Sequence, residues 1–338
     1  MSVRIGMMSF AHMHAYSYAS CINELSETEL VGVADHDPDR AKKVAESFNT
    51  RAFPSYKELL RQDINAVIIG SENIRHRELT TMAAEAGKHV LCEKPIATTI
   101  SDAQAMIDVC KRNGVQFMTA FPCRFSPAMV RVKELVDGGS VGEVLAIKGT
   151  NQGRMPGGWF IEKDKSGGGA VIDHTVHVAD LMRWLLRSEP SEVYAEISNA
   201  MHHQDYDDVG QLTISFDNGV FTSLNTSWSR PKSFPTWGDV TMEITGTNGV
   251  IAMDMFAQDL ALYSDKTAST SWIHWGDNID LLMIRNFASS VANNAPVSVT
   301  GEDGLRALEV ALGAATRARV DHLELAVADR VFADLRSG

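Results

Sequence analysis

Short apolar runs separated by capped helical segments fill the first third of the chain, and nothing else in the sequence restricts its fold as much. The runs are Val3-Arg4-Ile5, Leu30-Val31-Gly32-Val33-Ala34, Ala66-Val67-Ile68-Ile69, His89-Val90-Leu91-Cys92 and Gln116-Phe117-Met118-Thr119-Ala120-Phe121. They are too short for helices and apolar enough for strands covered on both faces. Between them, Asp37-Pro38 supplies an N-cap and a first-turn proline for a helix over 39–48. Ser55 and Glu58 have capping-box spacing, and Ser101-Asp102 opens a helix that runs to Arg112. Gly87 and Gly114 each fall between a helix and a strand, where the chain needs a left-handed residue. This alternation predicts a parallel, doubly wound sheet.

With 338 residues the chain is long enough for two domains. Hydrophobic residues make up 44% and charged residues 22%, the balance of a globular chain with a large core. A net charge of −12, with no dense Lys/Arg cluster, argues against nucleic acid or an anionic membrane as partner. No apolar run is long enough to span a bilayer, and the N-terminal residues lack a secretory pattern, so the cytoplasm is the expected compartment. Cys21, Cys92, Cys110 and Cys123 are too scattered for a metal-ribbon motif and are expected to be buried thiols.

Ligands bind a doubly wound sheet at the carboxyl ends of its strands. After the first run comes Gly6-Met7-Met8-Ser9-Phe10-Ala11, which matches G-x-G-x-x-G/A except that Met8 occupies the middle position. This turn is expected to hold a dinucleotide pyrophosphate through Gly6, Met8, Ser9, Phe10 and Ala11, with Met8 turned away from the phosphates. Asp35 ends the second run, where a carboxylate accepts hydrogen bonds from ribose hydroxyls. The plain alternative, that it caps the next helix, suits Asp37 better. Asp35 would repel a 2′-phosphate, so NAD is expected over NADP, with Arg40 softening the preference.

Two segments are more specific. Gly87-Lys88-His89-Val90-Leu91-Cys92-Glu93-Lys94-Pro95-Ile96-Ala97 carries Glu-Lys-Pro at a strand's carboxyl end. Gly167-Gly168-Gly169-Ala170-Val171-Ile172-Asp173-His174-Thr175-Val176-His177-Val178-Ala179-Asp180 carries a glycine run, then Asp, His and Asp. Together they resemble the two signatures of the glucose–fructose oxidoreductase / inositol dehydrogenase / MocA (Gfo/Idh/MocA) family. Weaker echoes are His14, Asn73 with His76, Arg124-Phe125 and Gly301-Glu302-Asp303-Gly304-Leu305. The resemblance implies a nicotinamide-dependent oxidoreductase of sugars, cyclitols or related polyols. Residues 1–123 would form a Rossmann-type domain. Residues 124–338 would form a substrate-binding α/β domain with a large, mostly antiparallel sheet whose open face makes homodimers or homotetramers. It also implies cofactor contacts from Asn73, His76, Glu93 and Lys94, and substrate contacts from Lys94, Arg124, Asp173, His174 and His177. Met8 departs from the family pattern, as do Glu72, where proline is common, and the extra histidines His12 and His174. The sequence beyond residue 124 independently shows alternating strands, at 211–216 and 240–244, with turns at Asp217-Asn218-Gly219 and Asn248-Gly249.

On a helix Asp173 and His177 are one turn apart, and the carboxylate is expected to orient the imidazole and raise its pKa toward neutrality, as suits a general base. A capping aspartate and a core histidine are the bland alternative. Lys94, at a strand end before a proline, would stabilise negative charge on the reacting oxygen; a solvated lysine is the alternative. His174, His177, His202, His203 and Asp173 could approach one another as metal ligands, but no spacing fixes a full set and no metal is expected. Among Trp228, Trp237, Trp272 and Trp275, packing or an interface is the default role. Two other classes compete with a dehydrogenase: a lyase or glycosidase using tightly held NAD in a transient oxidation, and a dinucleotide-binding sensor, against which the Lys94, Asp173 and His177 set counts.

Overall fold

The structure is a computed structural model and describes residues 2–317. Its first unit is a six-stranded parallel sheet in the order β3-β2-β1-β4-β5-β6. These are Val3–Met8, Thr28–Ala34, Ala52–Phe53, Ala66–Ile69, His89–Cys92 and Phe117–Thr119 in chain order, β1 to β6. Helices α1 (His14–Glu24), α2 (Pro38–Ser47), α3 (Tyr56–Leu60), α4 (His76–Glu85) and α5 (Ile100–Arg112) connect them. The topological switch point lies between β1 and β4, where this fold class leaves a crevice for a ligand.

Local chemistry sets most of the element ends. Asp37 caps α2, accepting from Asp39 N (3.0 Å) and Arg40 N (3.1 Å). Ser55 caps α3 through Glu58 N, and the Glu58 carboxylate turns outward to Arg61 and leaves the box half made. The cap of α5 is Thr99, which accepts from Asp102 N at 3.1 Å, and not Ser101. Gly87 and Gly114 take φ of +69° and +65°. The first strand extends three residues past Ile5, and β3 is a two-residue strand with no apolar run to announce it.

The second unit starts with α6 (Pro127–Asp137) and centres on a six-stranded sheet in the order β12-β11-β7-β10-β9-β8. Its strands are β7 (Val144–Gly153), β8 (Pro190–Ser198), β9 (Val209–Phe216), β10 (Phe221–Ser227), β11 (Gly238–Gly246) and β12 (Gly249–Asp254). Only β7 and β10 pair in parallel, so the sheet is mixed and mostly antiparallel. The one-turn α7 (Lys163–Ser166) and the long α8 (Ala170–Leu186) fall between β7 and β8. A separate hairpin, β13 (Asp259–Ser264) and β14 (Ser269–His274), precedes α9 (Ile279–Asn293) and α10 (Gly301–Arg317).

Alternation along the strands puts Ile147, Leu212, Ile214, Leu224 and Ile244 under α8, where Val178, Leu181, Met182 and Leu185 meet them. Among the described residues the alternate side chains of these strands, such as Leu145, Tyr194 and Phe221, are exposed on the other sheet face. Ile172 and Val176, on the first turns of α8, join the core of the parallel sheet instead, and so do Met283, Phe287, Leu305 and Ala311 of α9 and α10. Thus α8 begins in one core and ends in the other, which sets its first turns at the seam between the units. All four cysteines are free and buried. Among the described residues no helix is long and apolar enough to cross a membrane.

Candidate active site

The seam is closed by one buried ion pair. Lys94 follows β5, and its Nζ donates to Asp173 Oδ1 at 2.6 Å from the opposite unit. Both side chains are almost fully buried. Asp173 occupies the first turn of α8, and that turn is fixed from outside the helix: Asp207 accepts from Gly169 N (3.0 Å) and Val171 N (2.7 Å), and Ala170 N donates to its carbonyl. The other Asp173 oxygen accepts from Trp228 Nε1 at 3.1 Å and stands 3.2 Å from His174 Nε2. Burial disfavours its charge, but the Lys94 ammonium and His174 outweigh that and hold it well below the ordinary carboxylate range.

His177, one turn on, is buried beside the Phe121 ring, with Nδ1 4.0 Å from Cys123 Sγ. The carboxylate of Asp173 is directed to Lys94, Trp228 and His174, so it does not orient His177 as i, i+4 spacing suggested. The expected upward pKa shift is also overturned. Burial, then the nearby Lys94 ammonium, push the imidazole well below its usual value and keep it neutral. His174 is locked by Asn151: its Nδ1–H donates to Asn151 O (2.9 Å), Asn151 Nδ2 donates back to His174 O (3.0 Å), and Trp237 stacks on the ring.

Arg124 does not join this group. Its guanidinium makes a bidentate pair with Asp180 (2.6 and 2.5 Å) and reaches Asp303 and Ser298 O. It ties the one-turn helix Pro122–Phe125 to α8 and α10, which fully occupies its fork.

On the cofactor side the turn lies three residues later than the glycine pattern suggested. Gly6 and Met8 are inside β1, Met8 with its side chain fully buried, and Ser9 takes the left-handed φ of +71°. Phe10 N and Ser9 Oγ donate to Asp35 Oδ2 at 2.7 and 3.2 Å, and Ala11 N donates to Ser9 Oγ. Arg40 grips the same carboxylate through Nε (2.8 Å) and Nη2 (2.7 Å). Burial opposes its ionisation, but Arg40 and the backbone amides hold Asp35 below the ordinary value. His76 is a buried clamp, bonding Pro95 O and Ile96 O through Nδ1 and standing 3.3 Å from Ser71 O through Nε2. Asn73 donates to Ser166 O across the seam at 2.8 Å. Glu93 accepts from Lys94 N at 2.9 Å and from His14 Nδ1 at 3.1 Å.

A dinucleotide suits this edge. Asp35 at the end of β2, Glu72 and Asn73 after β4 and Lys94 after β5 follow one another around the switch point. Glu72 Oε2 and Asn73 Oδ1 are buried acceptors with no protein donor. Asn151 and Asp207 are site-forming residues that sequence reasoning left out, and Trp228, for which packing or an interface is the default role, bonds Asp173 instead. They are distant in the chain from both signatures, and no periodicity marks them.

The sequence profile of the oxidoreductase family with an NAD-binding Rossmann fold matches residues 3–121, and that of the GFO/IDH/MocA C-terminal domain matches residues 129–252. An uncharacterized oxidoreductase of Streptococcus pneumoniae is 32% identical over 71% of this chain and 66% of its own. The scyllo-inositol 2-dehydrogenase (NAD(+)) of Bacillus subtilis is 29% identical over 92% of this chain and 93% of its own. The structure of a levoglucosan dehydrogenase in complex with NADH and levoglucosan superposes with a TM-score of 0.80 at 23% identity, over 94% of this chain and 97% of that one. This chain belongs to the Gfo/Idh/MocA family of NAD-binding oxidoreductases.

Proposed function

We propose that the protein is a cytoplasmic, NAD(H)-dependent dehydrogenase of a sugar, cyclitol or related polyol, working as a homodimer or homotetramer. Residues 1–123 serve the cofactor. Residues 124–338, of which 318–338 lie outside the described residues, serve substrate binding and assembly. The observation that carries this reading is the buried Lys94–Asp173 pair across the seam, with a neutral His177 on the same helix.

In the oxidative direction the substrate hydroxyl sits against Lys94, which stabilises the charge building on its oxygen. His177 accepts the hydroxyl proton; being unprotonated already, it needs no prior ionisation. Nicotinamide, when bound, supplies the acceptor for the hydride leaving carbon. Asp173 pairs with Lys94 and aims it, and Trp228 and His174 fix Asp173 in turn. His174, Trp237 and Asn151 shape the remaining wall, and the free acceptors of Glu72 and Asn73 suit ribose hydroxyls.

The test is a panel of sugars, cyclitols, sugar acids and lactones with NAD and NADP, followed by absorbance of reduced nicotinamide. Turnover with NAD on at least one polyol, lost in Lys94→Met, is the expected result. Substrate consumed with no net reduced cofactor would replace the dehydrogenase by a transient-oxidation lyase or glycosidase. Folded, cofactor-free protein that binds neither dinucleotide would remove the enzymatic reading.

A further inference from the structure

Outside the Lys94–Asp173 pair, one cluster at the sheet edge has no role in hydride transfer. His12 and His14 flank the turn into α1, and Glu93 ends β5. Each offers a ligand atom within 4.8 Å of the other two. Glu93 Oε1 is 3.1 Å from His14 Nδ1 and 3.7 Å from His12 Nδ1. Tetrahedral zinc with bonds of about 2.0–2.1 Å separates its ligands by about 3.3 Å, so these two distances bracket one edge of such a site.

The tautomer of His12 is informative. Its Nδ1 accepts the His14 backbone N–H at 3.2 Å, which leaves the proton on Nε2. An unprotonated nitrogen therefore faces a carboxylate oxygen, two lone-pair bearers with no proton between them. His12 is almost wholly buried, ringed by His14, Trp159 and Phe160, and its Nε2 has no partner. A cation between Nδ1 and Oε1, taking the lone pair that the His14 N–H now holds at 3.2 Å, would turn that repulsion into ligation.

Charge points the same way. Glu93 is fully buried, yet the nearest ammonium, that of Lys94, is directed to Asp173. A second, partly buried carboxylate, Asp280, lies close enough to act on both His14 and Glu93, and it accepts from Ser17 Oγ at 2.6 Å. Two carboxylates thus share a corner, and the Lys94 side chain near it is hydrogen-bonded to Asp173 and not to either of them. The Lys94 backbone N–H, bonded to Glu93 Oε2, leaves Oε1 turned to the imidazoles, as an outer-shell donor does at a metal centre. His14 is about one-third exposed and opens a path from solvent.

We propose that His12, His14 and Glu93 bind one divalent transition-metal ion of the zinc class, with the fourth position open to water or a ligand oxygen. The ion ties the turn before α1 to the end of β5, in a loop that lacks the usual glycines. On binding, His14 gives up its Nδ1 proton to solvent and the metal takes that place. The site stands independently of the hydride-transfer reading.

The test uses the full chain, stripped of metal with a chelator and freed of cofactor, titrated with zinc by calorimetry in competition with a chromophoric chelator. One equivalent should bind, and cobalt(II) at the same site should give the visible absorption of a low-coordinate ion. His14→Asn, at a half-exposed position, should keep the fold by circular dichroism and weaken zinc binding at least about 100-fold. Glu93→Gln should do the same if it folds, and the exposed-histidine control His203→Asn should change nothing. Binding well below one equivalent, or unchanged affinity in folded His14→Asn, overturns the proposal.

Discussion

At the residue scale, two charge assignments decide the chemistry. Lys94 is ion-paired with Asp173, while burial and the nearby lysine keep His177 neutral. The proposed base is His177, and the lysine is the proposed partner of the reacting oxygen. His177→Asn should lower turnover by about 10²–10⁴ with little change in dinucleotide affinity, because the ring lies on the substrate side of Lys94. The wild-type kcat/KM for alcohol oxidation should be flat from about pH 6 to 8, since an imidazole with a depressed pKa is already unprotonated there. An inflection near the ordinary histidine value, lost in the variant, would show that His177 titrates normally and contradict this assignment. A second residue-scale prediction concerns Asp35. Its carboxylate holds Arg40 in a bidentate grip and also receives Phe10 N. Asp35→Asn keeps an oxygen for the amide but releases the guanidinium toward a 2′-phosphate. Charged hydrogen bonds contribute about 1.5–3 kcal/mol. The NADPH:NADH affinity ratio should therefore rise about 10- to 100-fold, read by fluorescence titration, and an unchanged ratio would remove Asp35 from cofactor discrimination.

At the element scale, the first turn of α8 is the part that must not move, since it carries Asp173. Its glycine run has no capping side chain of its own, and Asp207 supplies the cap from the loop before β9. Asp207→Ala should cost about 1–2 kcal/mol of stability. It should also cut turnover while dinucleotide affinity stays near wild type; equal loss of both, or of neither, would separate this cap from Asp173. The element comparison also shows where the sequence was legible. The short apolar strands, the Asp37 and Ser55 caps and the two glycine C-termini are local effects, and local patterns reveal them. The two-residue β3 is made only by pairing with β2, so no run announces it. The turn after β1 was set three residues early because Gly6 drew the pattern, although Ser9 carries the left-handed φ. Lys94 and Asp173 were recognisable from their signatures, but their partnership was not. Spacing favoured His177 as the partner of Asp173, and only the placement of the first turn of α8 beside the loop after β5 turns that carboxylate to the lysine. The same blindness to distant partners placed Arg124 at the substrate, when Asp180 and Asp303 occupy it.

At the scale of the whole molecule, the seam that gathers the site also concentrates buried titratable groups, and this gives the fold a directional response to acid. His76 clamps the loop after Lys94 and His177 faces the site; both are fully buried, and both have pKa values pushed below 6.5, by burial first. A histidine whose folded value is depressed leaves stability intact above its unfolded pKa. Below that point the unfolded chain takes up a proton that the folded chain refuses. Each such group then removes up to about 1.4 kcal/mol per pH unit until its folded pKa is reached. His14 has the opposite sign: burial lowers its pKa, but Glu93 more than restores it, so its pairing gains on mild acidification and offsets part of the loss. His12 and His89 are depressed by burial as well. The net expectation is a melting temperature that is level from about pH 7 to 8.5 and falls by several degrees by about pH 5.5, where four depressed histidines against one raised leave a deficit of roughly 2–4 kcal/mol. Asp35 and Asp173, with pKa values held low by their cations, add no loss until the pH approaches the ordinary carboxylate value of 3.8. Thermal melts of the wild type and of His76→Asn across this range are the check. The variant will be less stable at neutral pH, because it loses a clamp, but its acid slope should be shallower. An identical slope would mean that His76 takes up its proton in the folded state, and that the loop after Lys94 opens before the fold does.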